Sequence, residues 1–548
     1  MQHYLKLGIL LLLWLLGPPL SHAQNSDSQT NTESLSLMLQ LTEASLRETA
    51  GLVPQLEAAG GEQMLPLFKT LLEGDLYYQK ESKQLMAVSK QDGQYLATDI
   101  FTGNSLGEFE KSSIKKIRVN NSLRTLLRET IARINLSSES AEKRLAAVQT
   151  MLGELDESSL ALIEQRLTLE QNKSVIEALT LAKAVYVARE GHAEAERVAA
   201  INQLSGQLQP EVRAVLNGIL AKNDDGEYLE SSPAVVAAAL KVEQSITGKI
   251  KFFGFVEQLF FGLSLGSVLL LAAIGLAITF GVMGVINMAH GEMMMLGAYT
   301  TFVIQQLMPN AIGYSLIVAI PMAFIVSGAV GVLIERTVIR FLHGRPLETL
   351  LATFGISLIL QQAVRTIFSP LNRQVITPEW MSGSLQINSV LSITYNRLYI
   401  LIFALVLFFA LLMILKKTSL GLNVRAVSQN RSMAKAIGIK TDRVDAMTFG
   451  LGSGIAGVAG VALSQLTNVG PNLGQSYIID SFMVVVFGGV GNLMGTLVGA
   501  FTLGVANKFL EPATGAVLAN ILILVFIILF IQKRPKGLFP QKGRAAND

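Results

Sequence analysis

The stretch GLAITFGVMGVINMAHGEMMMLGAY, residues 275–299, places Asn287, His290 and Glu292 inside an otherwise apolar run. In a lipid bilayer, polar and ionisable groups are costly unless they face the protein interior or a water path. The stretch is therefore a candidate transport path through a membrane protein. A structural alternative stays open, because a buried carboxylate can also pair with backbone donors at a helix break.

The composition divides the 548-residue chain into two parts of opposite charge. Residues 24–251 contain 24 Lys and Arg against 31 Asp and Glu, whereas residues 252–548 contain 19 against 10. Half of the residues are hydrophobic and 16% are charged, so a membrane portion is expected. The basic excess lies in the apolar part and does not indicate nucleic-acid binding. The chain has no cysteine, which excludes disulfides and thiolate metal sites.

The first 23 residues have the pattern of a secretory signal peptide. Lys6 precedes an apolar core at 7–16, and Ser21 and Ala23 are small residues at the cleavage positions. An uncleaved anchor is the alternative, but this core is shorter than the ~20 residues that span a bilayer. We therefore predict a signal peptide at 1–23 and an exported soluble domain at 24–250.

The exported part is predicted to be mostly helical, with a small β insert at about 75–119. Short β-type runs, such as 76–78 and 85–88, alternate there with turns that contain glycine or charged residues. Farther along, residues 142–149 resemble residues 195–202 at an offset of 53. Such copies are typical of HEAT-type helical repeats, although ordinary amphipathic helices give the same similarity. Nothing in this part indicates a catalytic or metal site.

The remaining part, 251–548, is predicted to be a polytopic α-helical membrane domain, so the whole chain is mainly α. Eight apolar runs are long enough to cross a bilayer and a shorter one lies at 478–490, which gives about eight or nine membrane segments. If 478–490 re-enters instead of crossing, a further break elsewhere, for example near Asn287, is needed to keep the topology consistent. The eight runs are 255–281, 292–308, 314–335, 349–368, 398–415, 444–466, 493–510 and 514–531.

Basic residues predict how this domain is oriented. They cluster after the third long run, within 416–443, and after the last run. The positive-inside rule places these clusters in the cytoplasm. We therefore predict a multi-pass protein of the bacterial inner membrane with a periplasmic N-terminal domain and a cytoplasmic C-terminus.

Two nucleotide-binding patterns can be set aside. Gly452, Gly454 and Gly457 satisfy GxGxxG, but they lie in an apolar helix with no preceding strand, so a dinucleotide site is rejected. The sequence contains no GxxxxGK[ST] loop, so ATP hydrolysis through a P-loop on this chain is not expected. We predict that the chain is not an enzyme.

Three ordered motifs together resemble the permeases of branched-chain-amino-acid-type ABC importers. They are NMAHGE at 287–292, GLNVRA at 421–426 and FGGVGN at 487–492. The resemblance covers about 252–540. Within the family, residues 278–301 and the exported N-terminal region look most like the urea-importer permease.

This resemblance implies a permease subunit that moves urea or a close small amide from the periplasm to the cytoplasm. The implied partners are a second homologous permease, two cytoplasmic ATPase subunits that use ATP, and a periplasmic substrate-binding protein. No cofactor is expected on this chain. A branched-chain amino acid permease is the alternative within transport, and a membrane-tethered sensor or scaffold is the alternative from another class.

The resemblance also implies roles for three groups of residues. The substrate path would contain Asn287, His290 and Glu292, with Gln305, Gln306 and Asn468 as further amides that suit a neutral polar substrate. Contact with the ATPase subunits would involve Gly421, Arg425, Ala426, Ala434 and Gly438. Close helix packing, for which small residues four apart are suited, would involve Gly488, Gly489, Gly491, Gly495 and Gly499.

Overall fold

The computed structural model describes residues 24–91, 94–153, 155–191 and 193–540. The predicted signal peptide at 1–23 lies outside the described residues. The chain forms two compact units, Met1–Thr247 and Gly248–Asp548. We describe each unit by itself.

The first unit begins with three helices followed by a small antiparallel sheet, so the predicted β insert is confirmed. Ser45 starts the second helix with a capping box, in which its backbone N–H donates to Glu48 at 2.7 Å. The sheet has the strand order β4-β3-β2-β1-β5. The elements are α1 (Gln24–Glu43), α2 (Leu46–Gly60), α3 (Leu65–Glu73), β1 (Leu76–Gln79), β2 (Leu85–Gln91), β3 (Gln94–Thr98), β4 (Ser105–Phe109) and β5 (Ile114–Lys116).

Six further helices complete most of this unit, and buried side chains line their facing sides. Val148 on one helix and Ile201 on another are both fully buried, as the resemblance between 142–149 and 195–202 leads one to expect. The helices are α4 (Asn121–Leu136), α5 (Ala141–Met151), α6 (Glu157–Leu169), α7 (Lys173–Glu190), α8 (Glu194–Gln203) and α9 (Pro210–Ile219).

Each of the two similar segments also carries an arginine that forms an ion pair with a glutamate. Arg144 on α5 binds Glu170 through Nε–Oε2 and Nη2–Oε1 contacts of 2.7 and 2.8 Å. Arg197, at the matching position on α8, binds Glu230 at 2.6 Å. Glu170 lies just before α7, which begins at Lys173, and Glu230 lies just before the helix that begins at Pro233. In both cases one helix separates the arginine's helix from the helix that the glutamate precedes. The sequence similarity therefore coincides with a repeated arrangement of charges, while assignment to HEAT-type repeats stays a prediction.

The second unit is an assembly of long apolar helices. Its first helix, α10 (Pro233–Met283), begins in the first unit. The others are α11 (His290–Leu307), α12 (Ile312–Thr337), α13 (Pro346–Phe368), α14 (Tyr395–Lys417), α15 (Ser419–Gln429), α16 (Arg431–Ala436), α17 (Thr441–Ser464), α18 (Leu473–Gly488), α19 (Leu493–Thr514) and α20 (Ala516–Lys533). A hairpin of β6 (Ser384–Gln386) and β7 (Ser392–Thr394) precedes α14.

Seven described helices are long and apolar enough to cross a membrane, which is consistent with the predicted polytopic helical domain. The sequence predicts membrane segments at two further helices, α11 and α18, which are not among the seven. The helix α11 carries buried polar residues that lower its hydropathy, and α18 is a shorter apolar helix. The seven are Pro233–Met283, Pro309–Thr337, Pro346–Phe368, Tyr395–Lys417, Thr441–Ser464, Leu493–Thr514 and Ala516–Lys533.

Helix α17 lies at the centre of this unit and is almost wholly buried. Its glycines face the backbone of neighbouring helices: Gly452 meets Gly275 of α10, and Gly457 meets Gly297 of α11. Gly460 faces the Met294 carbonyl group so closely that a β-carbon would collide with it. Small residues let helices approach in this way. The GxGxxG pattern is thus part of a helix-packing surface, and α10, α11, α12 and α17 form the unit's tightest core.

Candidate functional site

The chain leaves the helical conformation at 284–289, between α10 and α11. Gly284 has φ +64°, a conformation that glycine adopts without strain. The Asn287 side chain stabilises the turn, because its Oδ1 accepts from the Ala289 N–H at 3.0 Å. The next helix then begins at His290. A break therefore separates α10 from α11, and Asn287 itself is buried within it.

His290 is fully buried where α11 begins. Its Nε2 lies 2.9 Å from the Ala272 carbonyl oxygen of α10, which can only accept, so Nε2 donates. Its Nδ1 has no hydrogen-bond partner among the residues the structure describes. The ring also packs on Gly275, where a β-carbon would lie 2.8 Å from His290 Cε1. His290 thus joins the start of α11 to α10, beside the predicted path.

Glu292 is buried two residues farther along α11, with 1% of its surface exposed. Its Oε1 accepts from Ser357 Oγ at 2.9 Å and from Gln361 Nε2 at 2.8 Å. Its Oε2 has no hydrogen-bond partner in the described part of the chain. A buried carboxylate normally pairs with a cation. Here both hydrogen bonds come from neutral groups.

The partners of Glu292 belong to a polar stripe on α13 that sequence analysis missed. We call Thr353, Ser357 and Gln361 the α13 polar stripe; all three are buried. Thr353 Oγ1 accepts from the Met288 N–H of the break at 3.1 Å. The signal was available, because polar residues four apart lie on one face of a helix. The stripe brings α13 against both the break and α11.

Aromatic and amide groups lie near the Gln361 end of the stripe. Tyr299 packs on Phe368 with ring centroids 4.8 Å apart. The Tyr299 hydroxyl is buried and has no hydrogen-bond partner within the described ranges. Arg365, four residues beyond Gln361, donates from Nη2 to Asn472 Oδ1 at 2.8 Å.

The other amides proposed for the path lie elsewhere. Gln305 Nε2 donates to the Ile376 carbonyl at 2.7 Å, and its Oε1 accepts from the Ile376 N–H at 2.9 Å. Both ends of this amide are therefore used to hold a loop. Gln306 is exposed near the end of α11, and Asn468 is exposed in the segment between α17 and α18. Asn287, His290 and Glu292 are neighbours in the chain, but the His290 ring faces α10 and the Glu292 carboxylate faces α13.

The predicted ATPase-contacting segment forms two short helices, α15 and α16. Gly421 faces the backbone of Leu415 so closely that no β-carbon would fit. Arg425 donates from Nη1 to the Leu415 carbonyl at the end of α14. The other predicted residues lie nearby: Ala426 is half-buried, Ala434 is buried, and Gly438, with φ +91°, follows the end of α16.

A second contact joins these short helices to the central helix. Arg431 of α16 binds the buried Asp445 of α17 through contacts of 2.5 and 3.1 Å. Neither residue stands out in the sequence, where both are ordinary charged residues in or beside a basic segment. On the outer surface, Leu422, Met433 and Ile437 are 60, 61 and 69% exposed. The segment is therefore tied to the core on one side and shows apolar side chains on the other.

The FGGVGN motif forms the turn between α18 and α19. Gly488 and Gly495 meet backbone to backbone, and Gly499 packs on the Val484 carbonyl. Gly489 and Gly491 lie in the turn with positive φ angles of 107° and 76°. The C-terminal segment binds this turn as well, because the Phe539 N–H donates to the Gly488 carbonyl at 3.1 Å.

No group of His, Asp and Glu residues that could hold a metal ion occurs among the described residues. The polar groups of the site are carboxylate, hydroxyl, amide and imidazole groups. Such a set can bind a ligand through hydrogen bonds.

Comparison with known proteins gives consistent matches in the second unit. Residues 258–531 match a family described as "Branched-chain amino acid transport system / permease component". The chain is 34% identical over 299 residues to the high-affinity branched-chain amino acid transport system permease protein LivH of Salmonella typhimurium, which covers 53% of this chain and 96% of LivH. It is 30% identical, with the same coverage, to BraD of Pseudomonas aeruginosa, a permease protein of the same description.

A more distant relative is the probable branched-chain amino acid transport permease protein LivH of Methanocaldococcus jannaschii. Its identity is 26% over 293 residues, 50% of this chain and 88% of that protein. No solved structure matches the chain. These relatives are permease proteins of transport systems and not enzymes.

Proposed function

Because the chain belongs to the family of branched-chain amino acid transport system permease components, we propose that it is the permease subunit of an ATP-driven importer for urea or a close small amide. The substrate would move from the periplasm to the cytoplasm. The family assignment rests on the second unit, and the proposed substrate rests on the chemistry around Glu292.

The observation that carries the substrate proposal is that neutral groups make the hydrogen bonds to Glu292. The hydroxyl of Ser357 and the amide of Gln361 are its partners, at 2.9 and 2.8 Å. Urea has two amino groups that donate and one carbonyl that accepts. A carboxylate, a hydroxyl and an amide offer acceptors and donors to match both kinds of group. An amino acid also carries a carboxylate, which would need a cation on the path.

A branched-chain amino acid is the second candidate substrate, and two observations favour it. The relatives LivH and BraD are described as branched-chain amino acid permeases. In addition, Arg365 continues the line of the α13 polar stripe, and its guanidinium could hold a substrate carboxylate after leaving Asn472.

Uptake measurements test the two substrates directly. Cells that carry the full transporter, with and without this chain, would be supplied with labelled urea and labelled leucine. We expect urea uptake to depend on the chain and to resist excess leucine. Leucine uptake alone would overturn the urea proposal, and dependence of neither would favour a membrane-tethered sensor or scaffold.

The proposed partners are a second homologous permease, two cytoplasmic ATPase subunits and a periplasmic substrate-binding protein. We propose that the ATPase subunits contact α15 and α16 through the exposed side chains of Leu422, Met433 and Ile437. The contacts of Arg425 with α14 and of Arg431 with α17 would carry motion into the helix core. Copurification of ATPase subunits with the chain would support this assembly, and their absence would favour the scaffold alternative.

This assembly requires a particular orientation. The segment 416–443 and the C-terminus would be cytoplasmic, and the N-terminal unit would be periplasmic, where it could dock the binding protein. A reporter fused after Lys536 and a protease site placed near Ala221 test the two sides. A protease added outside the inner membrane is expected to cleave the site near Ala221 and to leave the reporter after Lys536 intact.

A further inference from the structure

Helix α13 contacts α11 in a different way from the central helix α17. Helix α17 meets α10 and α11 through glycines with backbone against backbone, as at Gly452 and Gly275 and at Gly457 and Gly297. At the level of Glu292, by contrast, α13 meets α11 through the hydrogen bonds of Ser357 and Gln361. Hydrogen bonds can be exchanged for others at small net cost, whereas close backbone packing cannot.

We infer that the contact between Glu292 and the α13 polar stripe is the substrate site, and that a small amide binds by taking the places of Ser357 and Gln361 on Glu292. This inference rests on the proposed transport function and deepens it. Nothing in the comparisons assigns a role to α13. The ligand class is a neutral molecule with a carbonyl group beside one or two amino groups.

The exchange balances the hydrogen bonds on both sides. The amino groups of the ligand donate to Oε1 and to Oε2 of Glu292, and Oε2 lacks a partner within the described residues. The released Ser357 hydroxyl and Gln361 amide then donate to the ligand carbonyl. A site built to hydrogen-bond a ligand also rejects analogues that lack the matching groups, because they leave buried polar groups unpaired.

The exchange requires α13 to move away from α11. Most of α13 outside the stripe is lightly covered: Leu347, Leu351 and Ile359 are all more than two-thirds exposed. The glycine contacts of α17 fix α10 and α11 against it, since a shift would collide with backbone atoms. The moving wall of the site is therefore α13, with its contact to Met288 released at the same time as its contact to Glu292.

The first test compares two neighbouring glutamines on α13. Gln361 binds Glu292, whereas Gln362 is exposed on another face of the same helix. We expect Gln361→Leu to lower the rate of substrate uptake at least tenfold and Gln362→Leu to change it less than twofold. Neither substitution should prevent helix formation or membrane insertion. The amount of each variant in the membrane is therefore measured, and uptake is compared at equal amounts. Equal uptake by the two variants would overturn the inference.

The second test locks the wall in place. The chain has no cysteine, so a pair introduced as Met288→Cys and Thr353→Cys is the only possible disulfide. The Met288 nitrogen lies 3.1 Å from Thr353 Oγ1, which puts the two positions within reach of a disulfide or a short cross-linker. We expect oxidation to lower the rate of uptake at least tenfold and a reductant to restore it. Each single cysteine variant serves as the control.

Normal transport by the cross-linked protein would overturn the inference. Both tests would be run with whichever of urea and leucine the chain is found to transport. Failure of urea uptake in the unmodified transporter contradicts the proposed substrate, whereas normal uptake by the locked protein contradicts the moving wall.

Discussion

Two buried glutamates, one in each unit, show how differently a folded chain can hold the same group. Glu170 in the first unit accepts from Arg144, from Arg166 and from the N–H groups of Gln171 and Asn172. Glu292 in the second unit accepts from two neutral side chains, and one of its oxygens has no partner among the described residues. The first carboxylate is saturated and the second is not.

The difference separates structural from functional burial of charge. A fully paired carboxylate leaves no capacity for a ligand, and its removal strands the cations around it. An incompletely paired one keeps capacity for a ligand, and its removal strands no cation. Asp445 lies between the two cases, because a single arginine from a neighbouring short helix holds it. The comparison thus ranks three carboxylates by how much the fold depends on them.

The largest effect on stability is expected for Glu170→Gln. The change leaves Arg144 and Arg166 without their anionic partner, and loss of one member of a buried pair costs about 3–5 kcal/mol. Glu164→Gln is the matched control, since Glu164 pairs with Lys183 at 2.7 Å but both side chains are about half exposed. Exposed pairs of this kind contribute at most ~1 kcal/mol.

The measurement is denaturant unfolding of the full chain in detergent, with hydrogen exchange of α6 and α7 as the local readout. The Glu170→Gln variant should exchange much faster in these helices, and the Glu164→Gln variant should resemble the unmodified chain. Similar stability losses for the two would mean that saturation of the carboxylate is not what distinguishes Glu170.

The next effect is expected for Arg431→Gln, which removes the only side-chain cation that binds Asp445 in the described contacts. A hydrogen bond to a charged group contributes roughly 1.5–3 kcal/mol, which corresponds to about a tenfold or larger change in an equilibrium. If this contact couples the ATPase subunits to α17, uptake should fall about tenfold while ATP hydrolysis by the assembled transporter continues. Lys435→Gln, on the exposed side of the same helix, should leave both rates unchanged.

Parallel loss of uptake and hydrolysis in the Arg431 variant would indicate misassembly and contradict the coupling role. The substitution Arg425→Glu gives an independent check at the other end of the segment. Its side chain binds the Leu415 carbonyl, and a carboxylate at this place would be repelled by that oxygen. The same separation of uptake from hydrolysis is expected.

The sequence predicts these three carboxylates unequally, for a physical reason. Glu292 could be identified because an ionisable residue in an apolar run is costly. The small sheet likewise followed from β-type runs. Glu170 could not be identified, because charged residues are common in a soluble helical unit and its partner Arg144 is 26 residues away. Only the tertiary fold brings such groups together.

The α13 polar stripe marks the same limit inside the membrane unit. Its spacing shows that Thr353, Ser357 and Gln361 share a face, but not which helix that face meets. His290 illustrates the converse, since its position in the motif suggested the path and its ring binds the Ala272 carbonyl of α10. Spacing predicts which residues act together, and packing decides what they act on.

A smaller effect on the stability that Glu170 provides is expected from a change of pH. Paired arginines and backbone donors lower the pKa of Glu170 from 4.5 to about 2. The carboxylate therefore stabilises the folded state above pH 4.5, and this contribution is lost as the pH falls towards 2. Between pH 7 and pH 4 the loss should be roughly 1 kcal/mol. Unfolding of the unmodified chain and of Glu170→Gln at both pH values isolates this share, and an equal pH dependence in the two would contradict it.

The smallest effect on stability is expected for Glu292→Gln. The amide keeps an oxygen that accepts from Ser357 and Gln361, and no cation loses its partner, so the free energy of unfolding should change by less than about 1 kcal/mol. Uptake should nevertheless fall at least tenfold, because the amide removes an acceptor that the substrate needs. A stability loss as large as that of Glu170→Gln would make Glu292 a structural group, and normal uptake would remove it from the path. A stable protein with little uptake is the result that the unpaired oxygen predicts.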